Sequence, residues 1–282
     1  MENFKILILV LAGNTKISNR NKKAQINTWI KNLPQNSRLV FYQGGEETKI
    51  KNNVLTVKSS DKYQDIGYKT IQAFEWVDSN LNFDYIIRIN TSTFLYPEKL
   101  NKFLAENENE YLYRGRVLNN KFNENEIKWV SGAEILMSKN TLKLLLKNKN
   151  KFDFSLPDDV AIGKLLSNLG VELQNSDSKI FNIKVFNNTK LEYGYHFRCR
   201  VDDPYYYPRI LDAIFMKYLY KENQNLKIKK SKRNFYKILF LLSKPFAIKK
   251  HIDFLKFYFW KFLKKISPSA FIMYVKGYKN DW

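Results

Sequence analysis

Two adjacent carboxylates stand where the sequence predicts the start of a helix. Asp158 and Asp159 precede an apolar helical pattern that continues to Leu169 and ends at Gly170. Backbone amides at a helix N-terminus hold a carboxylate in place and stabilise its charge, while one oxygen can still face a cleft. Such a carboxylate can remove the proton from an attacking hydroxyl. The alternative is that both aspartates only cap the helix.

A second polar cluster follows the segment that most resembles a buried strand. Residues 83–89 are rich in isoleucine and aromatic residues, and they are followed at once by Asn90, Thr91 and Ser92. This composition predicts a strand covered on both faces. Because ligands of open α/β sheets gather at the carboxyl ends of strands, we expect residues 90–92 to form the floor of a ligand site. The alternative is an ordinary loop between a strand and a helix.

Strand and helix patterns alternate around these two clusters. The predicted strands are residues 5–11, 38–42, 54–57, 83–89 and 127–138, the last bent at Gly132. The predicted helices are residues 20–31, 65–79, 97–104, 139–146 and 158–169. This alternation predicts an α/β domain with a largely parallel sheet.

The charge of the chain is strongly positive and unevenly distributed. The 282 residues carry a formal charge of +21, and residues 221–282 hold 16 Lys or Arg against 3 Asp or Glu. Such charge favours polyanions, whether anionic lipids, nucleic acid or phosphorylated substrates. The single cysteine, Cys199, excludes an intrachain disulfide and a cysteine-based zinc cluster, and it suits a reducing compartment.

Composition divides the chain into two parts. Residues 1–220 form the predicted α/β domain, which carries both polar clusters, and residues 221–282 form a basic, aromatic, helical extension. Lysines alternate with aromatic residues over 249–265, which favours a helix lying on an anionic membrane surface. The alternatives are helices packed on the core and, less favoured because no nucleic-acid module is recognised, binding to nucleic acid. Residues 6–12 are short for a secretory signal, so we predict a core strand there.

Five segments together resemble the Fringe and β-1,3-galactosyltransferase superfamily of inverting, nucleotide-sugar-dependent glycosyltransferases. They follow the order and approximate spacing of that superfamily over residues 4–200. The segments are residues 20–29, 61–76, 85–94, 130–133 and 156–163, the last reading Leu-Pro-Asp-Asp-Val-Ala-Ile-Gly. The resemblance implies the GT-A fold, a Rossmann-like, mostly parallel mixed sheet flanked by helices.

The resemblance also implies roles at the reacting end of the site. It places Asp159 as the base that deprotonates the acceptor hydroxyl, with Asp158 orienting it or capping the helix. Ser131 and Gly132 match the small-residue bend that lies beside the donor sugar.

Other residues match positions near the nucleotide of the donor. Gly13 lies in the turn expected under the uracil or ribose, and Arg20 matches an early arginine of the nucleotide pocket. Cations must neutralise the leaving diphosphate, and guanidinium groups bind phosphate oxygens in pairs. The candidates are Arg88, Arg198, Arg200 and Lys69.

The metal site is where this chain departs from the family. Asn90, Thr91 and Ser92 replace the acidic triplet with which relatives hold Mn²⁺ or Mg²⁺ on the diphosphate. Without carboxylates these residues would bind either cation weakly, so the departure argues against metal dependence. Ser92 and His196, which stands near the family's late metal-binding histidine, are the remaining candidate ligands. The alternative for His196 is packing among aromatic residues.

The predicted function is inverting transfer of a hexose from a nucleotide sugar, expected to be a UDP-sugar, to a glycan or lipid-linked glycan. We expect this transfer to serve polysaccharide biosynthesis. Because the extension is basic, we predict that the protein acts in the cytoplasm, at the inner face of a bacterial membrane. The rival prediction is a catalytically inactive relative that binds a glycan or a membrane.

Overall fold

The computed structural model describes residues 3–122, 125–176, 179–180, 194–199 and 210–223. The described residues belong to the first of two compact units. The second unit, residues 203–207 and 228–282, lies outside the described residues, as does Arg200. The predicted membrane-binding extension therefore stays a prediction. None of the helices among the described residues is long and apolar enough to cross a bilayer.

The described part of the chain contains thirteen strands. They are β1 (Asn3–Leu11), β2 (Ser37–Gly45), β3 (Lys49–Lys51), β4 (Val54–Lys58), β5 (Asn82–Asn90), β6 (Thr93–Leu95), β7 (Tyr113–Gly115), β8 (Val117–Phe122), β9 (Asn125–Val130), β10 (Glu134–Ser138), β11 (Gln174–Asn175), β12 (Lys179–Ile180) and β13 (His196–Arg198).

Six α-helices accompany these strands in the described residues. They are α1 (Lys16–Ile26), α2 (Ile66–Asn80), α3 (Pro97–Glu106), α4 (Lys139–Lys147), α5 (Asp158–Asn168) and α6 (Ile210–Asn223). Short 3₁₀ turns follow α1 at Trp29–Asn32, precede α2 at Tyr63–Asp65 and follow α4 at Lys149–Lys151.

A mixed, mostly parallel sheet forms the centre of the fold. Its eight strands follow the order β11-β7-β10-β5-β1-β2-β4-β3. Strand β1 pairs in parallel with β5 and β2, and β2 pairs in parallel with β4, whereas β10 runs antiparallel to β5. The register sets Leu11 against Asn90, so β1 and β5 end at the same edge of the sheet. These features confirm the predicted α/β class and its mostly parallel mixed sheet.

The apolar runs of the sequence become the middle of this sheet. Residues 6–10 of β1 are at most 1% exposed, which is why that strand shows no polar alternation. Helix α2 buries Ile71, Phe74 and Val77, spaced at helical intervals, in the same core cluster as β1. Helix α1 begins earlier than predicted, at Lys16, because the Thr15 side chain accepts a hydrogen bond from the Ser18 amide.

Two smaller sheets complete the described fold. Strands β8 and β9 form a hairpin-like pair, and β6 lies beside β13 in a sheet with β12. The antiparallel register of β6 and β13 sets Thr93 against Arg198. The Cys199 amide then donates to the Ser92 carbonyl at 2.7 Å, which ties residues 196–199 to the polar turn that follows β5.

Helix α5 approaches β9 closely at Gly163. A Cβ atom at this position would lie 2.5 Å from Cβ and 2.9 Å from Cα of Trp129. We expect Gly163→Ala to lower the free energy of unfolding by about 1–3 kcal/mol, because the helix or the strand must shift. Urea unfolding measures this change. At Gly13 an added Cβ meets nothing within 4 Å, so Gly13→Ala is the control, and equal stability of the two variants would contradict the close packing.

Candidate functional site

The candidate site lies at the edge of the large sheet where β5 ends, β10 begins and α5 starts. Strand β5 supplies Arg88, the bend before β10 supplies Gly132, and the first turn of α5 supplies Asp158 and Asp159. The sequence predicted that these residues share one site, and the structure brings them into direct contact.

Arg88 is buried and bonded through each of its guanidinium nitrogens. Nη2 lies 2.6 Å from Oδ2 of Asp158, Nε donates to the Tyr42 hydroxyl at 3.0 Å, and Nη1 donates to the Gly132 carbonyl. The guanidinium is only 2% exposed. These contacts leave no nitrogen of Arg88 without a protein acceptor.

A chain of hydroxyls supports the Arg88–Asp158 pair. The Thr70 hydroxyl donates to Oδ2 of Asp158 at 2.9 Å, so the Tyr42 hydroxyl, 3.1 Å from Thr70 Oγ1, donates to Thr70. Burial raises the pKa of Tyr42, and its phenol stays neutral and able to donate. Asp158 therefore accepts two hydrogen bonds and is an anchor in the core rather than a free helix cap.

Asp159 is only partly buried, and backbone amides hold both of its oxygens. Oδ2 accepts from the Gly132 amide at 2.7 Å, and Oδ1 accepts from the Val160 amide at 3.0 Å. Burial raises the pKa of Asp159, and the charge of Asp158 raises it further, against the opposing effect of the amides and of Arg88. A carboxylate with a raised pKa accepts a proton more readily, as a general base requires.

Gly132 connects the two aspartates. Its amide binds Asp159 and its carbonyl binds Arg88, the partner of Asp158. A Cβ atom there would lie 2.7 Å from Nη1 of Arg88 and 3.1 Å from Oδ2 of Asp159. Only glycine lets the backbone approach both side chains so closely.

The turn after β5 is closed by its own hydrogen bonds. Oδ1 of Asn90 accepts from the Ser92 hydroxyl at 2.7 Å and from the Ser92 amide at 3.2 Å. Thr91 and Ser92 are buried, and Nε2 of Gln25 donates to the carbonyls of Asn90 and Thr93. The turn lies at the predicted end of the strand, but its polar side chains largely satisfy one another.

His196 lies beside the bend that precedes β10, at Ala133. Its Nε2 is 2.9 Å from the Ala133 carbonyl and 3.3 Å from Oγ1 of Thr93, and its Nδ1 is 3.8 Å from Oε2 of Glu134. Burial lowers the pKa of His196, which favours a neutral imidazole. Arg198, two residues further along β13, stays close to the turn after β5.

These residues do not fit the metal implied by the resemblance. Oδ1 of Asn90 already accepts two hydrogen bonds, Ser92 is buried, and both nitrogens of His196 face other protein atoms. No carboxylate stands among residues 90–92 to supply charge for Mn²⁺ or Mg²⁺. Within the described ranges, no group of three or more His, Cys, Asp or Glu is arranged to hold a metal ion.

Asp61 is a site residue whose role the sequence did not reveal. Its carboxylate accepts from the amides of Asn14 at 3.0 Å and Gly44 at 2.8 Å, and from Nζ of Lys69 at 2.7 Å. Burial raises the pKa of Asp61, but these hydrogen bonds outweigh it and the pKa is lowered overall. Lys69 is 3% exposed and held by this carboxylate, so it is not a free cation for a diphosphate.

Of the two residues predicted to lie near the nucleotide, Gly13 follows the end of β1 and Arg20 lies on α1. The Gly13 amide donates to the Ser18 hydroxyl at 2.9 Å, and Arg20 is half-buried on α1. Asp61 ties the turn at Gly13 and Asn14 to Gly44, near the end of β2. The signal in the sequence was the glycine at or just after the end of each of these two parallel strands.

One family model matches the chain, and its description is "Galactosyltransferase". The match covers residues 43–177, nearly half of the chain, and includes Arg88, Gly132, Asp158 and Asp159. It confirms the predicted resemblance to the β-1,3-galactosyltransferase superfamily and supports a sugar transferase. No curated protein is significantly similar to this chain in sequence.

Solved glycosyltransferase structures are also similar to the chain. One is a glycosyltransferase involved in the glycosylation of the major capsid of PBCV-1, at 11% identity over 76% of this chain and 99% of that chain, with a TM-score of 0.43. Another is the galactosyltransferase LgtC in complex with donor and acceptor sugar analogues, at 8% identity over 81% of this chain and 99% of that chain, with a TM-score of 0.44.

Proposed function

Because residues 43–177 match the galactosyltransferase family, we propose that this chain transfers a hexose from a nucleotide sugar to a glycan hydroxyl with inversion. The observation that carries the proposal is the Asp159 carboxylate, which is fixed by the amides of Gly132 and Val160 and has a raised pKa. A base held in this way at the end of a sheet is what direct displacement at an anomeric carbon requires.

The proposed reaction is one displacement. The acceptor oxygen forms a bond to the anomeric carbon on the face opposite the nucleotide, and Asp159 takes the hydroxyl proton. The bond between that carbon and the diphosphate oxygen breaks, and the electron pair leaves with the diphosphate. Because the attack comes from the opposite face, the configuration of the transferred sugar inverts.

Arg88 and Asp158 position this base and do not touch the reacting atoms. The buried pair fixes the Gly132 carbonyl, and the Gly132 amide in turn fixes Oδ2 of Asp159. We therefore assign Arg88 to positioning instead of the phosphate binding that the sequence predicted.

The charge of the departing diphosphate must be balanced by a cation, and Arg198 is the candidate among the described residues. It lies on β13 opposite Thr93, next to the turn after β5. We expect Arg198→Gln to reduce kcat by about 10²-fold, the effect of removing one donor to a developing negative charge. An unchanged kcat in steady-state transfer assays would remove Arg198 from this role.

Metal removal is expected to leave transfer active, because residues 90–92 and His196 do not form a divalent-cation site. The measurement is transfer from a UDP-sugar in EDTA, compared with the same assay in MnCl₂ or MgCl₂. Activity that vanishes in EDTA and returns with either cation would contradict this expectation.

The pH dependence of transfer tests the electrostatics of the two aspartates. Asp159 must be ionised to act as base, so kcat/KM falls as the pH drops through its raised pKa. In Asp158→Asn the like-charge repulsion disappears while the attraction of Arg88 remains, so the pKa of Asp159 falls. The acid limb of the pH profile is therefore expected to move to lower pH, and an unmoved limb would show that Asp159 does not set it.

The finer parts of the proposal concern donor, acceptor and place of action. We propose a UDP-sugar donor and a glycan or lipid-linked glycan acceptor at the cytoplasmic face of a bacterial membrane. The support is the resemblance and the basic residues of 221–282, which suit an anionic lipid surface. Vesicle co-sedimentation with and without anionic lipid, using the full chain and a chain ending at residue 223, tests the last point.

A second candidate function is a relative that binds glycans or membranes without transferring a sugar. The absence of acidic residues from 90–92 is the observation that favours it. Calorimetry with UDP-sugars separates the two functions, because the transferase must bind a donor and the inactive relative need not.

A further inference from the structure

A cavity of about 200 Å³ lies on the face of the sheet opposite to Arg88. Glu134 on β10 pairs with Ile89 on β5, so its side chain and that of the preceding Arg88 project to opposite faces. The cavity is open to solvent on one side and is lined by α3, β7, β10 and residues 194–196. The side chains that matter for its chemistry are Lys99, Phe103, Arg114, Glu134, Tyr195 and His196.

The floor of the cavity carries a buried carboxylate, one oxygen of which lies outside regular hydrogen-bond geometry although the Tyr195 hydroxyl interacts with the group. Glu134 is 0% exposed, and its Oε2 accepts from the Ser176 hydroxyl at 2.7 Å, whereas its Oε1 has no donor in regular geometry among the described residues. Burial and the Glu134 carboxylate raise the pKa of Tyr195, so that side chain remains a neutral phenol. Leaving a buried carboxylate oxygen unpaired is costly, and a ligand hydroxyl would remove that cost.

The walls of the cavity combine aromatic rings with a guanidinium group. The rings of Phe103 and Tyr195 lie 5.5 Å apart, and the Arg114 guanidinium lies 4.6 Å from the centre of the Phe103 ring. At the mouth, the exposed side chains of Lys102 and Glu106 form an ion pair, with 3.8 Å between Nζ and Oε1. These groups can recognise a ring that carries several hydroxyls. The flat apolar surface stacks on the ring, the carboxylate accepts hydrogen bonds from its hydroxyls, and the cations donate hydrogen bonds to them.

The charges of the cavity constrain which ligand group can lie on its floor. An anionic group there would face the charge of Glu134 in a site of low dielectric constant, whereas a neutral hydroxyl would donate to it. Lys99, Lys102 and Arg114 can donate to the other hydroxyls of the ring, and a neutral pyranose fits this arrangement.

Three consecutive residues join the cavity to the candidate base. Gly132 donates its amide to Asp159, the Ala133 carbonyl contacts Nε2 of His196, and Glu134 lines the cavity. We propose that this cavity binds a neutral pyranose unit of the acceptor glycan, remote from the hydroxyl that reacts. The proposal rests on the proposed transferase function for the identity of the glycan as acceptor.

Binding to this cavity is measured without donor, by saturation-transfer NMR and titration with the methyl glycosides of galactose, glucose, mannose and N-acetylglucosamine. We expect at least one glycoside to bind the full chain. Phe103→Ala and Glu134→Gln are each expected to weaken its Kd by about tenfold or more, through lost stacking and lost acceptance of a hydroxyl. Tyr63→Ala, which removes an exposed aromatic ring outside the cavity, is the control and is expected to leave Kd unchanged.

Several outcomes would overturn the proposal. It fails if no glycoside binds, or if Phe103→Ala binds the glycoside as tightly as the unaltered chain does. It also fails if inorganic phosphate occupies the cavity in preference to the glycoside. Phe103→Ala keeps the test decisive if Glu134→Gln fails to fold.

Hydrolysis of the UDP-sugar donor in the absence of acceptor is the separate readout for the transferase function. We expect Tyr63→Ala, the control outside the cavity, to hydrolyse the donor at the rate of the unaltered chain. If hydrolysis is intact but glycoside binding is insensitive to Phe103, the cavity proposal alone fails. If the unaltered chain neither binds nor hydrolyses any nucleotide sugar, the transferase function fails instead.

Discussion

Replacing Asp159 with asparagine is expected to lower kcat of sugar transfer by about 10²–10⁴-fold, the usual contribution of a general base. The amide keeps the size of the carboxylate, but its single oxygen can accept from only one of the Gly132 and Val160 amides, and it cannot take the acceptor proton. Steady-state release of UDP in the presence of acceptor measures the effect. KM for the donor is expected to change little, because Asp159 acts on the acceptor.

The matched control for this variant is Asp84→Asn, which changes an exposed aspartate on β5. It is expected to retain full transfer activity. Full activity in Asp159→Asn would remove Asp159 from the role of base, whatever the control shows. Circular dichroism and urea unfolding of each variant show whether a loss of activity reflects a loss of fold.

The second large effect is expected on stability. Arg88→Met leaves Asp158 and the Gly132 carbonyl buried without their cationic partner, and we expect the free energy of unfolding to fall by about 3–5 kcal/mol. Removing one member of a buried ion pair costs more than the pair contributes, because the remaining charge stays in a medium of low dielectric constant. Urea or thermal unfolding gives the value.

A double substitution tests the origin of that loss. Arg88→Met combined with Asp158→Leu removes both buried charges, so it is expected to be more stable than Arg88→Met alone. Lys143→Met, at an exposed position of α4, is the surface control and is expected to change stability by less than about 0.5 kcal/mol. A loss below about 1 kcal/mol in Arg88→Met would show that the pair is not an anchor of the site.

The regular part of the fold was predictable from the sequence because its burial is uniform. Strands β1 and β5 are covered on both faces and therefore appear as unbroken apolar runs, while α2 shows helical spacing because one side faces the core. The short strands β6, β7 and β13 were not predicted. Each has three residues, and its conformation depends on pairing with distant chain segments, which no local pattern contains.

The candidate site was predictable only in outline. The resemblance correctly indicated that Gly132 and the two aspartates lie together, but the partners of Arg88 are separated from it by 46 and 70 positions in the chain. A buried arginine with three protein acceptors looks in the sequence like any arginine free to bind phosphate. The contacts of Asp61 with Asn14 and Gly44 were hidden for the same reason.

The central claim is a single displacement in which Asp159 deprotonates the acceptor. Its most direct test is the anomeric configuration of the first product formed from a UDP-sugar donor, followed by proton NMR during transfer by the unaltered chain. The account predicts a configuration opposite to that of the donor, because the acceptor attacks from the face away from the diphosphate. A product that keeps the configuration of the donor would contradict it.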